Sequence, residues 1–485
     1  MLKASPIATR WSNKPLSGAE DRATTLVQQA RVAMHALTYA DQSRVDEAVT
    51  ALAWALYEPA RARELAELAV RDTGFGNVAD KIIKNRRKTF GTLRDLMRVR
   101  TVGVIEHDPA RGLVKYGKPV GVVAAVVPST NPAATPVNKT MMAVKGRNAV
   151  IVAPSPSGYS TTARTVELMR AALSTIGLPQ DLVQVLPSPV NKDATQALME
   201  IADLVVVTGS QDNVRRAYRS GTPAIGVGTG NVPVIIDTSA DLADAAQKIS
   251  ASKTFDNATS CSSENSVIIP DAVYDAAMTV LEQAGGYRCS ADDKDLVQQM
   301  LWSGGNLSRQ LMATDASVFA KRVGLPAAAQ DAKFFLVEDD GVGAGYPFSC
   351  EKLSLVLTVY RVANFEAAVT KARDVLAHQG LGHSCGIHTS EHAHATRLAE
   401  ELDVVRVLVN QAHTYGNGGS FDNGLNFTLS MGCGSWAGNS ISENLNYTHF
   451  INVTHLSTTI PEDRPSEAEL FGAYWKKYGG HNTSE

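Results

Sequence analysis

The 485-residue chain has no CxxC pair, no HExxH motif and no long apolar run. Its five cysteines, at 261, 289, 350, 385 and 433, are odd in number and widely spaced. That pattern argues against a disulfide framework or a zinc cluster and for reduced thiols in a cytoplasm. The eleven histidines are scattered, so no metal site is expected. The run 121–127 is among the longest apolar stretches, far short of the roughly 20 residues a membrane helix needs. The first twenty residues, with Pro6, Trp11 and Pro15, lack the apolar centre of a signal peptide. A formal net charge of −3 exerts no pull towards nucleic acid or acidic membrane. Internal repeats and low-complexity stretches are absent too. What is present is an ordinary globular balance, 44% apolar and 20% charged, in a chain long enough for two or three domains.

The hydrophobic pattern divides the chain. Val45, Ala48, Val49, Leu52 and Leu56 recur at helical spacing behind Asp41, a natural N-cap. From about residue 120, unbroken apolar runs at 120–127, 149–153, 182–186 and 204–208 alternate with helical stretches at 159–176 and 193–201. Unbroken apolar strands need cover on both faces, which predicts an α/β fold with a doubly wound parallel sheet of the dinucleotide type. No GxGxxG follows the first strand. A second α/β region is expected over about 241–434, with helices near 242–249, 274–283 and 365–378 and strands at 353–360 and 404–410. A strand near 113–116 and the tail, with a strand at 447–453 and a helix capped by Ser466, have no obvious partner in either domain. Such strands often complete a neighbour's sheet, so a homodimer or homotetramer is expected. The domain reading is a cofactor-binding domain over 1–240, with an oligomerisation strand at 108–118. A catalytic domain follows over 241–440, and an oligomerisation tail over 441–485.

Cys261 stands in a small, polar stretch, Ala258-Thr259-Ser260-Cys261-Ser262-Ser263-Glu264, just before an apolar run at 266–269. Buried structural cysteines have apolar neighbours, whereas a reactive thiol needs access and polar surroundings that favour thiolate. Cys289, Cys350, Cys385 and Cys433 read as small packing residues. Three further segments carry polar or glycine-rich chemistry: Pro128-Ser129-Thr130-Asn131-Pro132, Gly226-Val227-Gly228-Thr229-Gly230-Asn231, and Glu351-Lys352-Leu353-Ser354. Taken locally these are an Asn-Pro turn, an unobstructed glycine loop and a solvated surface pair.

Together the segments resemble the aldehyde dehydrogenase superfamily over essentially the whole chain, in the form found in its coenzyme A-acylating branch. The resemblance implies an aldehyde dehydrogenase-like fold and an oxidoreductase with Cys261 as nucleophile. It also implies Asn131 as donor to the oxyanion and Glu351 as the group that holds the nicotinamide ribose. Ser129, Thr130, Pro154, Thr208, Gly209, Ser210, Gly228 and Gly230 would then surround NADP or NAD. Hydrolytic members carry a glutamate in the segment that here reads 226–233 without any acid. Losing that base leaves a thioester stable to water and calls for another acceptor, the thiol of coenzyme A. Those members also place a lysine and a glutamate where this chain has Pro154-Ser155-Pro156, so NADP is favoured over NAD. Segments 428–436 and 439–444 resemble those of branch members acting on sulfoacetaldehyde and succinate semialdehyde. Sulfoacetaldehyde is the favoured substrate, with succinate semialdehyde or acetaldehyde as alternatives. An anion pocket would need donors, for which Arg288, His413, Tyr415 and Asn417 are candidates. Two rival readings are a hydrolytic enzyme using Glu264 as base and a non-catalytic oligomeric binding protein.

Overall fold

A computed structural model describes residues 18–479, so most of the stretch read above for a signal peptide lies outside the described residues. Four helices, Gly18–Met34, Gln42–Tyr57, Pro59–Thr73 and Val78–Met97, precede the first strand. The Asp41 side chain caps the second of them, accepting from Arg44 N at 2.8 Å.

The first sheet has five parallel strands, ordered Val183–Val185, Ala149–Ala153, Val122–Val126, Leu204–Val207 and Ala224–Gly226. The chain starts in the middle and winds outwards in both directions. This leaves a crevice beyond the carboxyl ends of Val122–Val126 and Leu204–Val207, where the winding reverses. Both central strands are wholly buried, as their unbroken apolar sequences require.

The second sheet has seven parallel strands. Their order is Gly286–Arg288, Phe334–Glu338, Val356–Val362, Glu264–Pro270, Val232–Ile236, Gly382–His388 and Val404–Val409. One apolar cluster, built on Val234, Val267 and Leu357, covers one face; another, on Ile235, Ile268 and Tyr360, covers the other. Val232–Ile236 belongs to this sheet, so sheet membership changes between residues 226 and 232 and not at 240. Alternate residues of that strand feed the two clusters. Leu445 and Phe450, assigned by sequence to the tail, pack into the first sheet's core.

The strands at Gly103–Asp108, Leu113–Pro119 and Ile451–Ser457 form a separate antiparallel sheet. The tail strand and the 113–116 region, expected to lack partners within the chain, are thus partners of each other. No helix among the described residues is long and apolar enough to cross a membrane.

Candidate active site

One cleft of about 870 Å³ runs between the carboxyl ends of the first sheet and the amino ends of the second. Cys261, Asn131 and the nine residues expected around the cofactor all line it. Ser129, Thr130 and Asn131 follow the strand Val122–Val126, Pro154 follows Ala149–Ala153, and Thr208, Gly209 and Ser210 follow Leu204–Val207. Gly228 and Gly230 come from the crossing between the sheets. Cys261 lies just ahead of Glu264–Pro270, and Glu351 ahead of Val356–Val362.

The loop before Cys261 is held in an unusual shape. Asp256, Asn257 and Ala258 have φ of 51°, 53° and 58°, left-handed values that non-glycine residues seldom adopt. Leu353, two residues past Glu351, has φ of 43°. Backbone strain of this kind persists only where surrounding contacts impose it. Here the contacts come from the helix Val78–Met97. Lys81 Nζ donates to Asp256 Oδ2 at 3.0 Å, and Lys84 Nζ donates to the same oxygen. Asn257 Nδ2 donates to Asp315 Oδ1 at 2.8 Å from the other side.

Lys84 also donates to Thr259 Oγ1 and to Asn131 Oδ1, each at 3.0 Å. An ammonium can only donate, so the oxygen of the Asn131 amide must face Lys84 and its NH₂ must turn away. One long contact, 3.4 Å to Thr130 Oγ1, engages that NH₂. The Asn131 amide therefore retains donor capacity beside the cleft.

The thiol does not have the surroundings expected from its polar neighbours in sequence. Burial pushes the Cys261 pKa up to about 12, with the Glu351 carboxylate and Cys433 adding to the effect and Arg406 opposing it. Of the thiol's hydroxyl neighbours, Thr259 bonds Asp256 and Lys84, Ser260 accepts from Ser262 N, and Ser262 accepts from Asn417. The Cys261 side chain itself is half-buried. Glu351 is likewise raised, to about 8, by burial, against the pull of Lys352 and Lys253. Lys253 and Lys352 are buried and donate to main-chain carbonyls at 264, 348 and 350.

Other expectations fail on position. Glu264 faces away from the cleft: Oε2 accepts from Ser252 Oγ at 2.6 Å and Oε1 from His413 N at 3.2 Å. Burial raises it to about 7, yet it is not among the residues that line the cleft with Cys261. His413 is buried, bonded at 2.9 Å to Ser262 O, and held neutral with its pKa near 3 by burial. Asn417 Nδ2 is spent on Ser262 Oγ, and Tyr415 packs its ring against Phe255. Arg288 pairs with Glu338 at 2.6 Å at the sheet's far edge. None of the four is among the residues that line the cleft. Cys289, Cys385 and Cys433 are buried as expected, but Cys350 is half-exposed, its Sγ 3.3 Å from His378 Nε2.

The sequence reading missed Lys81, Lys84 and Lys88. They sit at helical spacing on Val78–Met97 and are 4%, 5% and 8% exposed, while Ile83 and Phe90 on the same helix are 47% and 49% exposed. A helix that buries its lysines and exposes its apolar residues inverts the usual amphipathic pattern. The helical spacing of the lysines is visible in the sequence, but not that they face inward.

Comparison with known proteins now bears on this cleft. The model of the aldehyde dehydrogenase family matches residues 4–288. The chain belongs to the aldehyde dehydrogenase family. It is 52% identical to an acylating sulfoacetaldehyde dehydrogenase of Cupriavidus necator, over 96% of this chain and 95% of that one. A succinate-semialdehyde dehydrogenase (acetylating) of Clostridium kluyveri is 37% identical, over 92% and 98% of the two chains. Among solved structures, an acetylating aldehyde dehydrogenase from Geobacillus thermoglucosidasius superposes with a TM-score of 0.88 at 34% identity. The match covers 92% of this chain and 98% of that one. The aldehyde dehydrogenase fold thus explains why two parallel sheets meet end to end across one cleft.

Proposed function

We propose that the protein is a coenzyme A-acylating aldehyde dehydrogenase that converts a small anionic aldehyde, sulfoacetaldehyde first, to its acyl-coenzyme A. The observation that carries this reading is a hydrophobic residue, Val227, in the cleft wall beside Gly228 and Gly230, with no acid in 226–233. The kinship with acylating enzymes supports it.

Cys261, as thiolate, bonds to the aldehyde carbon, and the charge that develops on oxygen is met by Asn131 Nδ2 and the Cys261 backbone amide. Donors fixed in advance by Lys84 need no reorganisation at that moment. NADP or NAD bound in the cleft supplies the hydride acceptor that turns the adduct into a thioester. The donor set fits such a guest. Glu351 can accept from ribose hydroxyls, and the helix Gln211–Arg219 starts directly after Thr208, Gly209 and Ser210. No carboxylate follows Pro154 to repel a 2′-phosphate, which favours NADP. The thiol of coenzyme A then takes the acyl group. Its sulfur bonds to the acyl carbon, the Cys261 sulfur leaves, and the thiol proton ends on Cys261. Thiol for thiol, the exchange is near balance, so the enzyme runs in both directions.

An oligomer and a cytoplasmic location complete the proposal. The helix Glu467–Tyr478 buries no residue and exposes Leu470, Phe471, Tyr474 and Tyr478, and Leu456 is exposed on the adjoining strand. Apolar surface of that extent suits a homodimer or homotetramer. All five cysteines are free, as a reducing compartment would keep them.

Product analysis with sulfoacetaldehyde, succinate semialdehyde and acetaldehyde, each nicotinamide, and coenzyme A present or absent tests the reading. Acyl-coenzyme A should form, and Cys261→Ala should abolish it. Free acid released at a comparable rate without coenzyme A would overturn it.

A further inference from the structure

The helix Val78–Met97 buries three lysines, Lys81, Lys84 and Lys88, and their partners are unequal. Lys84 uses its three donors on Asn131 Oδ1, Asp256 Oδ2 and Thr259 Oγ1. Lys81 is held by Asp256 and by Thr130 O at 3.3 Å. Lys88 has no carboxylate partner among the described residues. Its Nζ donates to Gly418 O at 2.7 Å and, at the limit of bonding, to Gly419 O at 3.5 Å. Of the three, only Lys88 lines the cleft itself, together with Cys261, Asn131 and Thr259.

The local charge is uneven as well. Lys81, Lys84, Arg87 and Lys88 face Asp80, Asp256 and Asp422, four cations to three carboxylates. Burial, with Arg87 and Lys84 beside it, brings the Lys88 pKa down to about 7. A buried ammonium without a counter-ion is costly, and the cost vanishes when an anion arrives. Glu351, which lines the same cleft, offers no cation to compete for that anion.

We propose that Lys88 binds the distal anionic group of the aldehyde, a sulfonate or carboxylate, and so sets substrate choice. This rests on the acylating aldehyde dehydrogenase reading above. Lys84 supports the role indirectly, by occupying Asp256 so that this carboxylate cannot neutralise Lys88. A substrate anion held at Lys88 lies in the cleft that Cys261 also lines. A neutral aldehyde gains nothing from the ammonium.

The test compares wild type, Lys88→Met and Lys88→Arg with sulfoacetaldehyde and acetaldehyde, reading coenzyme A-dependent NAD(P)H formation. For Lys88→Met, kcat/KM for sulfoacetaldehyde should fall about 10- to 100-fold more than for acetaldehyde, the loss of one charge-assisted contact. Lys88→Arg should recover part of that selectivity. A parallel loss on both aldehydes, or no loss on either, would overturn the proposal. Should Lys88→Met fail to fold, the wild type decides alone. Ethanesulfonate should compete with acetaldehyde while the neutral methyl ethyl sulfone does not, and equal competition by both would overturn it. Wild-type turnover of acetaldehyde to free acid would instead refute the acylating reading, a separate outcome.

Discussion

Gly230 lies directly against the nucleophile: a Cβ at residue 230 would stand 2.1 Å from Cys261 O and 2.8 Å from Cys261 Cβ. The first of these contacts is with backbone, so relief requires moving the loop that aims the thiol. Gly230 needs no left-handed φ, which leaves close approach as the reason for glycine here. Gly230→Ala should therefore lower kcat by about 100-fold, the effect of displacing a reacting group by roughly 1 Å. The loss of stability should be about 1–3 kcal/mol from overpacking. Steady-state kinetics alongside thermal melts check both, and wild-type kcat in the variant would dismiss the contact as unimportant.

Val227 stands 6% exposed in the wall of the same cleft. If water is excluded from the thioester only because no base is at hand, supplying a carboxylate should let it in. Val227→Glu should release free carboxylic acid without coenzyme A, with hydrolysis accelerated by about 100-fold or more. Free acid is measured directly, and a variant that stays wholly dependent on coenzyme A would show that a general base is not what the site lacks.

The two predictions draw on segments that were legible because each is continuous in sequence. Asn131 and Thr208 follow strands of the first sheet and Cys261 precedes a strand of the second; each parallel sheet gathers its like ends on one rim, and the cleft lies between the two rims. The partnership of 113–119 with 451–457 was hidden because it joins strands over 330 residues apart, and no pattern within either strand names the other. The lysines of Val78–Met97 were hidden for a related reason. They are inward-facing only because the 256–261 and 416–419 loops fold onto that helix. The raised pKa of Cys261 was missed because polar neighbours in sequence do not by themselves solvate a side chain that the fold half-buries.

That raised pKa has a measurable consequence. With the thiol pushed up to about 12, the thiolate fraction grows with pH throughout the accessible range. Alkylation of the free enzyme by iodoacetamide should speed up about tenfold per pH unit between 7 and 9. Glu351, raised to about 8 by burial, ionises within that window and opposes the thiolate. Glu351→Gln should therefore alkylate faster than wild type at pH 9 and also show a higher KM for the nicotinamide. Mass spectrometry of the Cys261 peptide follows the labelling. A plateau reached by pH 7 in the wild type would mean that the thiol is already ionised.

Asp256 is the residue on which the nucleophile loop and the lysine helix both depend. Its Oδ1 accepts from Asn77 N at 3.0 Å, and its Oδ2 takes Lys81, Lys84 and the Thr259 hydroxyl. Burial works against its charge, but Lys84 and Lys81 outweigh burial and hold the carboxyl below its ordinary value of 3.8. A depressed carboxyl stabilises the fold at pH above that ordinary value, and the contribution is lost as pH falls through the folded one. Asp256→Asn keeps the shape and tolerates φ of 51°, since asparagine visits the left-handed region readily. What it removes is the charge, leaving two buried ammonium groups without a counter-ion at a cost of about 3–5 kcal/mol. The melting temperature should therefore drop markedly at pH 7, and the gap from wild type should begin to narrow below about pH 3.8 and close as pH falls through the lower folded value. Activity should fall with it, because the strained turn at 256–258 is no longer clamped ahead of Cys261. Calorimetry across pH 3–8 reads the difference, and a gap independent of pH would mean that packing, and not the buried charge, holds the loop.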